Sequence, residues 1–208
     1  MNNIDAILYI NLAHRTDRKE HITNELKKLC IDESKIHRID AIYKPGNGAL
    51  GCSMSHLKAL QLFEKNTEWN NCLIIEDDFT LKSNSIEENN NKIEQFFNDY
   101  PDYDCCVLAF NPWNARFENT HVENIKKTHY AQTTSSYLIS RKFIPKLIQN
   151  YKESILDLIT NGNRCYNCLD ISWTRIQPQS KWYMFVPSLG YQIDSFSDIE
   201  NKFVAYKC

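Results

Sequence analysis

Ala6-Ile7-Leu8-Tyr9-Ile10-Asn11 is an unbroken apolar, partly branched run closed by a polar residue, the pattern of a strand buried on both faces. Thr16 offers an N-cap and Asp17 a first-turn acid. Ile22, Leu26 and Leu29 follow at helical spacing, so a helix is predicted over 16–29. Ile36, Ile39 and Ile42 mark a second strand over 35–42, and Pro45-Gly46-Asn47-Gly48 marks a loop. A helix is predicted over 51–65, with Met54, Leu57, Leu60 and Phe63 near one side. Cys72-Leu73-Ile74-Ile75 is another buried strand and runs straight into Glu76-Asp77-Asp78. Beyond it the pattern predicts a helix over 83–98, a strand over 104–110, an irregular aromatic stretch over 112–119 and strands within 130–139. A helix over 141–151, a break at Asn161-Gly162-Asn163, a short helix over 169–176 and a strand over 182–186 complete the chain. Strands alternating with helices predict an α/β fold with a mostly parallel central sheet flanked by helices.

The 208 residues suit one domain, 1–208, and are enough to bury a core without disulfides or metal. No apolar run approaches the ~20 residues of a membrane-spanning helix. Aromatic residues make up 12% of the chain, too much apolar drive for a disordered one. The 24 basic and 26 acidic residues give a net charge of −2, which argues against a nucleic-acid partner. The N-terminal residues lack the pattern of a secretory signal, so a cytoplasmic location is expected. There the eight cysteines are expected to be free, most of them small buried apolar residues.

Three segments carry candidate chemistry. Glu76-Asp77-Asp78 places three acids directly after a buried strand, which is costly unless something positive binds there. In open α/β sheets ligands bind at the carboxyl ends of strands. Alternation along an extended segment sends Glu76 and Asp78 to one face and Asp77 to the other, and two carboxylates on one face suit a hard divalent cation. The bland reading is a solvated acidic turn. His14-Arg15-Thr16-Asp17-Arg18 puts guanidinium groups at a strand end and a helix start, where anions such as diphosphate bind. Gly48-Ala49-Leu50-Gly51-Cys52-Ser53-Met54-Ser55-His56 combines glycines that permit close backbone approach with donors in the first turns of a helix.

Taken together, Tyr9-Ile10-Asn11-Leu12 with Arg15 and Asp17-Arg18, Gly48-Ala49-Leu50-Gly51-Cys52 with Ser55-His56, and Leu73-Ile74-Ile75-Glu76-Asp77-Asp78 resemble glycosyltransferase family 25 in order and spacing. That family comprises lipooligosaccharide and procollagen galactosyltransferases. Thr134-Ser135-Ser136-Tyr137-Leu138-Ile139-Ser140 resembles a further family strand, Asp170 falls where members carry an Asp, and Ser197-Asp198-Ile199 resembles the family's C-terminal segment. The resemblance implies a GT-A fold, a nucleotide-sugar donor, most simply UDP-linked, and a divalent metal, usually Mn²⁺. It also implies inversion at the anomeric carbon and a glycan or glycoprotein acceptor. It assigns Asp78 and Glu76 to the metal, with Glu76 alternatively on the ribose, and Asp77 to orienting the sugar or a neighbouring strand. Asn11, Arg15, Arg18, Ser55 and His56 are placed near the nucleotide. An acceptor hydroxyl must lose a proton as it attacks, and a carboxylate in reach can take it. Asp170 is the first choice, beside Trp173 as a stacking surface for sugar, and Asp104 is the second.

Three other readings stay open on the sequence alone. Cys165-Tyr166-Asn167-Cys168 with Cys105-Cys106 offers four thiols for a zinc site, although adjacent cysteines are awkward tetrahedral partners. A nucleotidyltransferase would also use an acidic metal site, but residues 11–18 contain no glycine. A degenerate glycan- or nucleotide-binding domain would keep the fold without turnover. The aromatic stretch from Trp113 to Phe117 is expected to close over the donor.

Overall fold

The computed structural model describes residues 3–29, 31–162, 164–197 and 202–205. β1 (Ala6–Asn11) leads into α1 (Thr16–Leu26), then β2 (Ile36–Asp40), α2 (Gly48–Lys65), β3 (Asn71–Glu76), β4 (Phe79–Leu81) and α3 (Ile86–Asp99). Next come β5 (Cys105–Val107), β6 (Arg116–Asn119), β7 (Ile125–Tyr130), β8 (Ser136–Ser140), α4 (Ile144–Asn161), α5 (Arg164–Asn167) and α6 (Leu169–Ser172). β9 (Trp182–Phe185), β10 (Gly190–Gln192), β11 (Ser195–Ser197) and β12 (Lys202–Val204) follow.

Eight strands form one sheet in the order β2-β1-β3-β8-β5-β9-β7-β6. β1 pairs in parallel with β2 and with β3, and β5 with β9. β8 runs antiparallel to both its neighbours, and β7 is antiparallel to β6 and β9. The sheet is therefore mixed, not mostly parallel. The α/β layering is as expected, but β8 enters from the opposite direction, reached through irregular chain after the β6–β7 hairpin instead of through a crossover helix.

The period-2 alternation of the strands sorts their side chains into two cores. Ala6, Leu8, Ile10, Cys72, Ile74, Tyr137 and Ile139 pack under α2 and α4 through Leu60, Phe63, Leu147 and Tyr151. Ile7, Tyr9, Leu73, Ile75 and Leu138 pack on the other side under α1 and α3 through Ile22, Leu26, Ile93 and Phe96. Strands covered on both faces read as continuous apolar runs, which is why β1 and β3 were legible.

Element boundaries shift where caps decide them. α2 starts three residues earlier than expected because the Asn47 side chain accepts from the Leu50 N–H at 3.3 Å. Thr16 is inside α1; Arg15 holds the N-cap position without a capping side-chain bond. The strand expected over 104–110 shrinks to Cys105–Val107. α4 runs on to Asn161, where Gly162 takes the left-handed conformation at φ 61°. Among the described residues no helix is long and apolar enough to cross a membrane.

Gly51 is the close-approach glycine. A Cβ there would stand 2.4 Å from the Ile42 carbonyl oxygen. Alanine would gain about 1 kcal/mol of helix propensity, but the contact is to backbone. The Ile42 N–H is itself pinned to Ser55 Oγ at 2.8 Å, so the chain there has little room to yield. Gly51→Ala is expected to destabilise by roughly 1–3 kcal/mol, read as a lower urea midpoint at unchanged slope. A variant as stable as the parent would show that the loop after β2 is free to move away.

Candidate active site

A cleft of about 410 Å³ opens at the carboxyl ends of β1, β2 and β3. β1 lies between β2 and β3, so the chain leaves it in opposite directions, and such a switch point leaves a crevice at the strand ends. Because β8 is antiparallel, its entrance segment Thr133–Ser135 reaches the same edge, with Ser136 beside Ile75. The cleft is lined by Arg15, Arg18, Ser55, His56, Glu76, Asp77, Asp78 and Asp170. Tyr43 and Lys44 after β2, Cys52, Thr134 and Gln192 complete much of its wall.

β3 ends at Glu76, and Asp77 and Asp78 form the turn before β4. The expected alternation therefore stops one residue too early to separate the acids. All three line one cleft, instead of Asp77 pointing away. Glu76 Oε1 accepts from Thr134 Oγ1 at 2.8 Å and lies 3.1 Å from His56 Nε2. Burial pushes the Glu76 carboxyl up, but the His56 bond and charge, the Thr134 bond and Arg18 outweigh it, and its pKa lies below the ordinary value. Asp77 accepts from Asn11 Nδ2 at 2.7 Å and from Arg18 at 3.1 Å. Burial still leaves its pKa raised, against Arg18 and Asn11. Asp78 pairs with Arg18 at 3.2 Å and accepts from Gln192 Nε2 at 3.3 Å. Burial, and then the Glu76 charge, with Asp77 adding to it, push the Asp78 carboxyl up to about 7 in spite of Arg18.

Both basic residues expected at the end of the first strand line the cleft, each held by acids. Arg18 lines the cleft, but its guanidinium bridges Asp77, Asp78 and Ser195 Oγ. Arg15 also lines the cleft and is gripped twice by Asp17, at 3.0 and 2.9 Å. The Arg15 bonds, helped by backbone N–H groups in the first turn of α1, lower the Asp17 pKa to about 2. Asn11 does not line the cleft. It is buried behind it, donating to Asp77 and to the Arg15 carbonyl and accepting from Arg38 Nε at 3.1 Å. Ser55 Oγ donates to the Gly51 carbonyl at 2.7 Å and accepts from Ile42, so it ties α2 to the loop after β2.

His56 is fully buried. Its Nδ1 lies 3.0 Å from the Tyr137 hydroxyl, which accepts from Tyr151 at 3.2 Å, and its ring stacks on Tyr137. An ionised Glu76 assigns the proton to Nε2, leaving Nδ1 to accept from Tyr137.

Asp170 stands in the first turn of α6 and lines the cleft. Burial pushes its pKa up; the Thr133 N–H, 3.4 Å away, opposes that, and Glu76 adds to it. Thr133 holds φ at 86°, a left-handed conformation that a β-branched residue rarely adopts. The turn aims the Thr133 N–H at Asp170 and the Thr134 hydroxyl at Glu76, a strained backbone at the point where two cleft carboxylates are held.

Three side readings of the sequence, the second-choice base, the stacking tryptophan and the rival zinc site, do not fit the packing. Asp104 is outside the cleft, accepting from the Lys181 N–H at 2.8 Å and pairing with Lys142 at 3.2 Å. Trp173 is fully buried against Tyr137 and Trp182, with its indole N–H donated to the Ala131 carbonyl, so it is core and not a sugar platform. Cys105 and Cys106 point into opposite cores, which removes them as joint zinc ligands. Cys72, Cys105 and Cys106 are buried apolar residues as expected, whereas Cys52 and Cys168 reach the cleft. The Cys165 side chain, Cys30, Cys208 and the Asp198-Ile199 part of the C-terminal resemblance lie outside the described residues. Trp113 is 85% exposed in the turn before β6, two residues from the cleft residue Asn111.

The sequence model of glycosyltransferase family 25 (LPS biosynthesis protein) matches residues 44–160, more than half of the chain. The chain belongs to glycosyltransferase family 25. The match spans α2, the acidic turn after β3 and the β8 segment, the parts that build most of the cleft. As a family 25 protein the chain is a glycosyltransferase. A solved glycosyltransferase involved in glycosylation of the major capsid of PBCV-1 is similar at a TM-score of 0.58 and 11% identity, covering 94% of this chain and 95% of that one. A197 from STIV is similar at 0.51 and 12%, covering 97% and 93%. UDP-glucose pyrophosphorylase, solved with UDP-glucose, is similar at 0.53 and 6%, covering 88% and 90%. At such identities these likenesses speak for the fold alone. No curated protein matches the sequence significantly.

Tyr43, Lys44, Thr133 and Gln192 line the cleft without having been singled out as site residues from the sequence. Tyr43 and Lys44 directly follow the second predicted strand, and that position was the available signal. Gln192 lies in a three-residue strand with no pattern to read.

Proposed function

We propose that this family 25 protein is a single catalytic domain, 1–208, and an inverting, divalent-metal-dependent hexosyltransferase. It would use a UDP-linked sugar as donor and a hydroxyl of a glycan or protein-linked glycan as acceptor. The observation that carries the reading is the convergence of Glu76, Asp77 and Asp78 with Asp170 on one cleft at the sheet's switch point.

The donor set fits a hard cation. Glu76, Asp77 and Asp78 offer carboxylate oxygens to one cleft, Arg18 bridges two of them, and burial, then the Glu76 charge, pushes the Asp78 carboxyl up to about 7. Asp78 and Glu76 would hold Mn²⁺ or a similar ion. When bound, such an ion neutralises charge on the departing nucleoside diphosphate. Arg15 and Lys44 supply positive charge along the cleft wall, and the first turn of α2, Gly48 and Ala49, brings backbone N–H groups to the same wall. Asn11 and Arg18 act through Asp77, fixing its carboxylate toward the donor sugar. Ser55 and His56 hold the wall on which the nucleotide rests.

Asp170 takes the acceptor hydroxyl's proton as that oxygen attacks the anomeric carbon. The new C–O bond forms on the face opposite the diphosphate. The old C–O bond breaks, and its electron pair leaves with the diphosphate. Inversion follows from the single displacement. Burial favours this role, because it raises the basicity of the carboxylate that receives the proton.

A thermal-shift series with UDP, UDP-sugars and Mn²⁺ tests the donor site. Nucleotide and ion together should raise the melting temperature more than either alone, with stabilisation of about 2.7 kcal/mol at a hundredfold excess over Kd. The absence of a shift with every nucleoside diphosphate, ion present or not, would remove the donor assignment.

A further inference from the structure

Cys52, His56 and Glu76 each offer one donor atom, and these atoms all lie within 4.8 Å of one another. Cys52 and His56 are four apart on α2 and so share a helix face. Glu76 meets them from the end of β3. All three line the cleft.

We infer that Cys52, His56 and Glu76 form a second divalent site, selective for a borderline-soft ion of the Zn²⁺ type and separate in its donor chemistry from the all-oxygen set around Asp78. One sulfur, one imidazole nitrogen and one carboxylate oxygen are a donor set for Zn²⁺ or Co²⁺, whereas Mg²⁺ and Mn²⁺ favour oxygen. Three protein ligands on the wall of one cleft leave a fourth position on its open side for water or a ligand oxygen, the arrangement of accessible zinc sites.

The surroundings already hold two of the ligands. Zinc-binding histidines almost always give their other ring N–H to a partner. Here Nδ1 faces the Tyr137 hydroxyl at 3.0 Å, which Tyr151 fixes in turn. With Nε2 on the metal, the ring proton sits on Nδ1 and the Tyr137 oxygen accepts it. Glu76 is steadied by the Thr134 hydroxyl at 2.8 Å. Binding forms a metal–sulfur bond as the Cys52 S–H bond breaks and its proton passes to solvent. The site shares Glu76 with the proposed donor site, so the softer ion would draw that carboxylate away from the nucleotide-sugar ion.

The test is binding of the metal alone to the full chain, with no substrate and no activity readout. Reduced, metal-free protein titrated with Co²⁺ should develop thiolate-to-cobalt charge-transfer absorption, and Zn²⁺ should displace it. Cys52→Ser should abolish that band and weaken Zn²⁺ binding at least about tenfold. Cys168→Ser, removing the other cleft thiol among the described residues, should leave both unchanged. No thiolate band in the parent protein, or a band that survives Cys52→Ser, would overturn the site. Because Mn²⁺ and nucleotide are absent, failure here leaves the donor-site reading untouched, and the converse also holds.

Discussion

Asp78→Asn is expected to cut sugar transfer by on the order of 10³-fold, the several kcal/mol that a metal-held charge supplies to a departing diphosphate. It should also erase the joint stabilisation by nucleotide and Mn²⁺. The same change is expected to spare or raise stability at alkaline pH. Burial and neighbouring acids put the folded-state pKa of Asp78 at about 7, above its ordinary value of 3.8. A carboxyl raised on folding contributes its stability in full below the unfolded value, and that contribution is lost as pH rises through the folded one. The parent protein should therefore lose melting temperature between about pH 4 and about pH 7 from this group, and Asn, neutral throughout, should flatten that fall. Turnover and melting temperature measured across pH on the two proteins check both halves. A variant that transfers sugar normally would take Asp78 out of the site, and an unchanged pH slope would mean its carboxyl is better compensated than the geometry implies.

Asp170→Asn is expected to lower kcat/KM by roughly 10² to 10⁴-fold while leaving nucleotide binding within a factor of about two. The base must be ionised, and burial raises its pKa. Measured at saturating divalent ion, which holds Asp78 ionised, the acidic limb of the parent profile should therefore lie above the ordinary aspartate value of about 3.9 and should disappear in the variant. Asp104→Asn serves as the comparison. Its partners are the Lys181 backbone and Lys142, so it should change stability modestly and catalysis hardly at all. Retention of the acidic limb in Asp170→Asn would move the base elsewhere in the cleft.

The placement of Glu76 and Asp78 shows how a correct pattern becomes a wrong geometry. The apolar run Cys72–Ile75 predicted a buried strand and its end correctly. The face assignment that followed assumed extended chain through Asp78, but the chain turns at Asp77, and all three acids meet one cleft. Asn11 and Ser55 are comparable. Both sit beside the cleft's machinery, and both spend their polar groups holding other residues, Asp77 in one case and the loop after β2 in the other. Trp173 and Asp104 carried plausible chemistry and were placed elsewhere by packing.

The sequence by itself determined the strands and helices whose patterning is dense: β1, β3, α1, α2 and α3, the α/β class and the family. It did so because strands covered on both faces need uninterrupted apolar residues, and helices lying on them need a 3.6-residue stripe. It also located the acidic turn, because three charges at the end of a buried strand are costly without a partner. The tertiary structure decided the direction of β8, the short strands β4 and β10, and the meeting of Thr133, Gln192 and Asp170 with the acids of β3. Those contacts join residues tens of positions apart through irregular chain. Local propensity is silent there, and only the competition to bury surface and satisfy backbone groups fixes the arrangement.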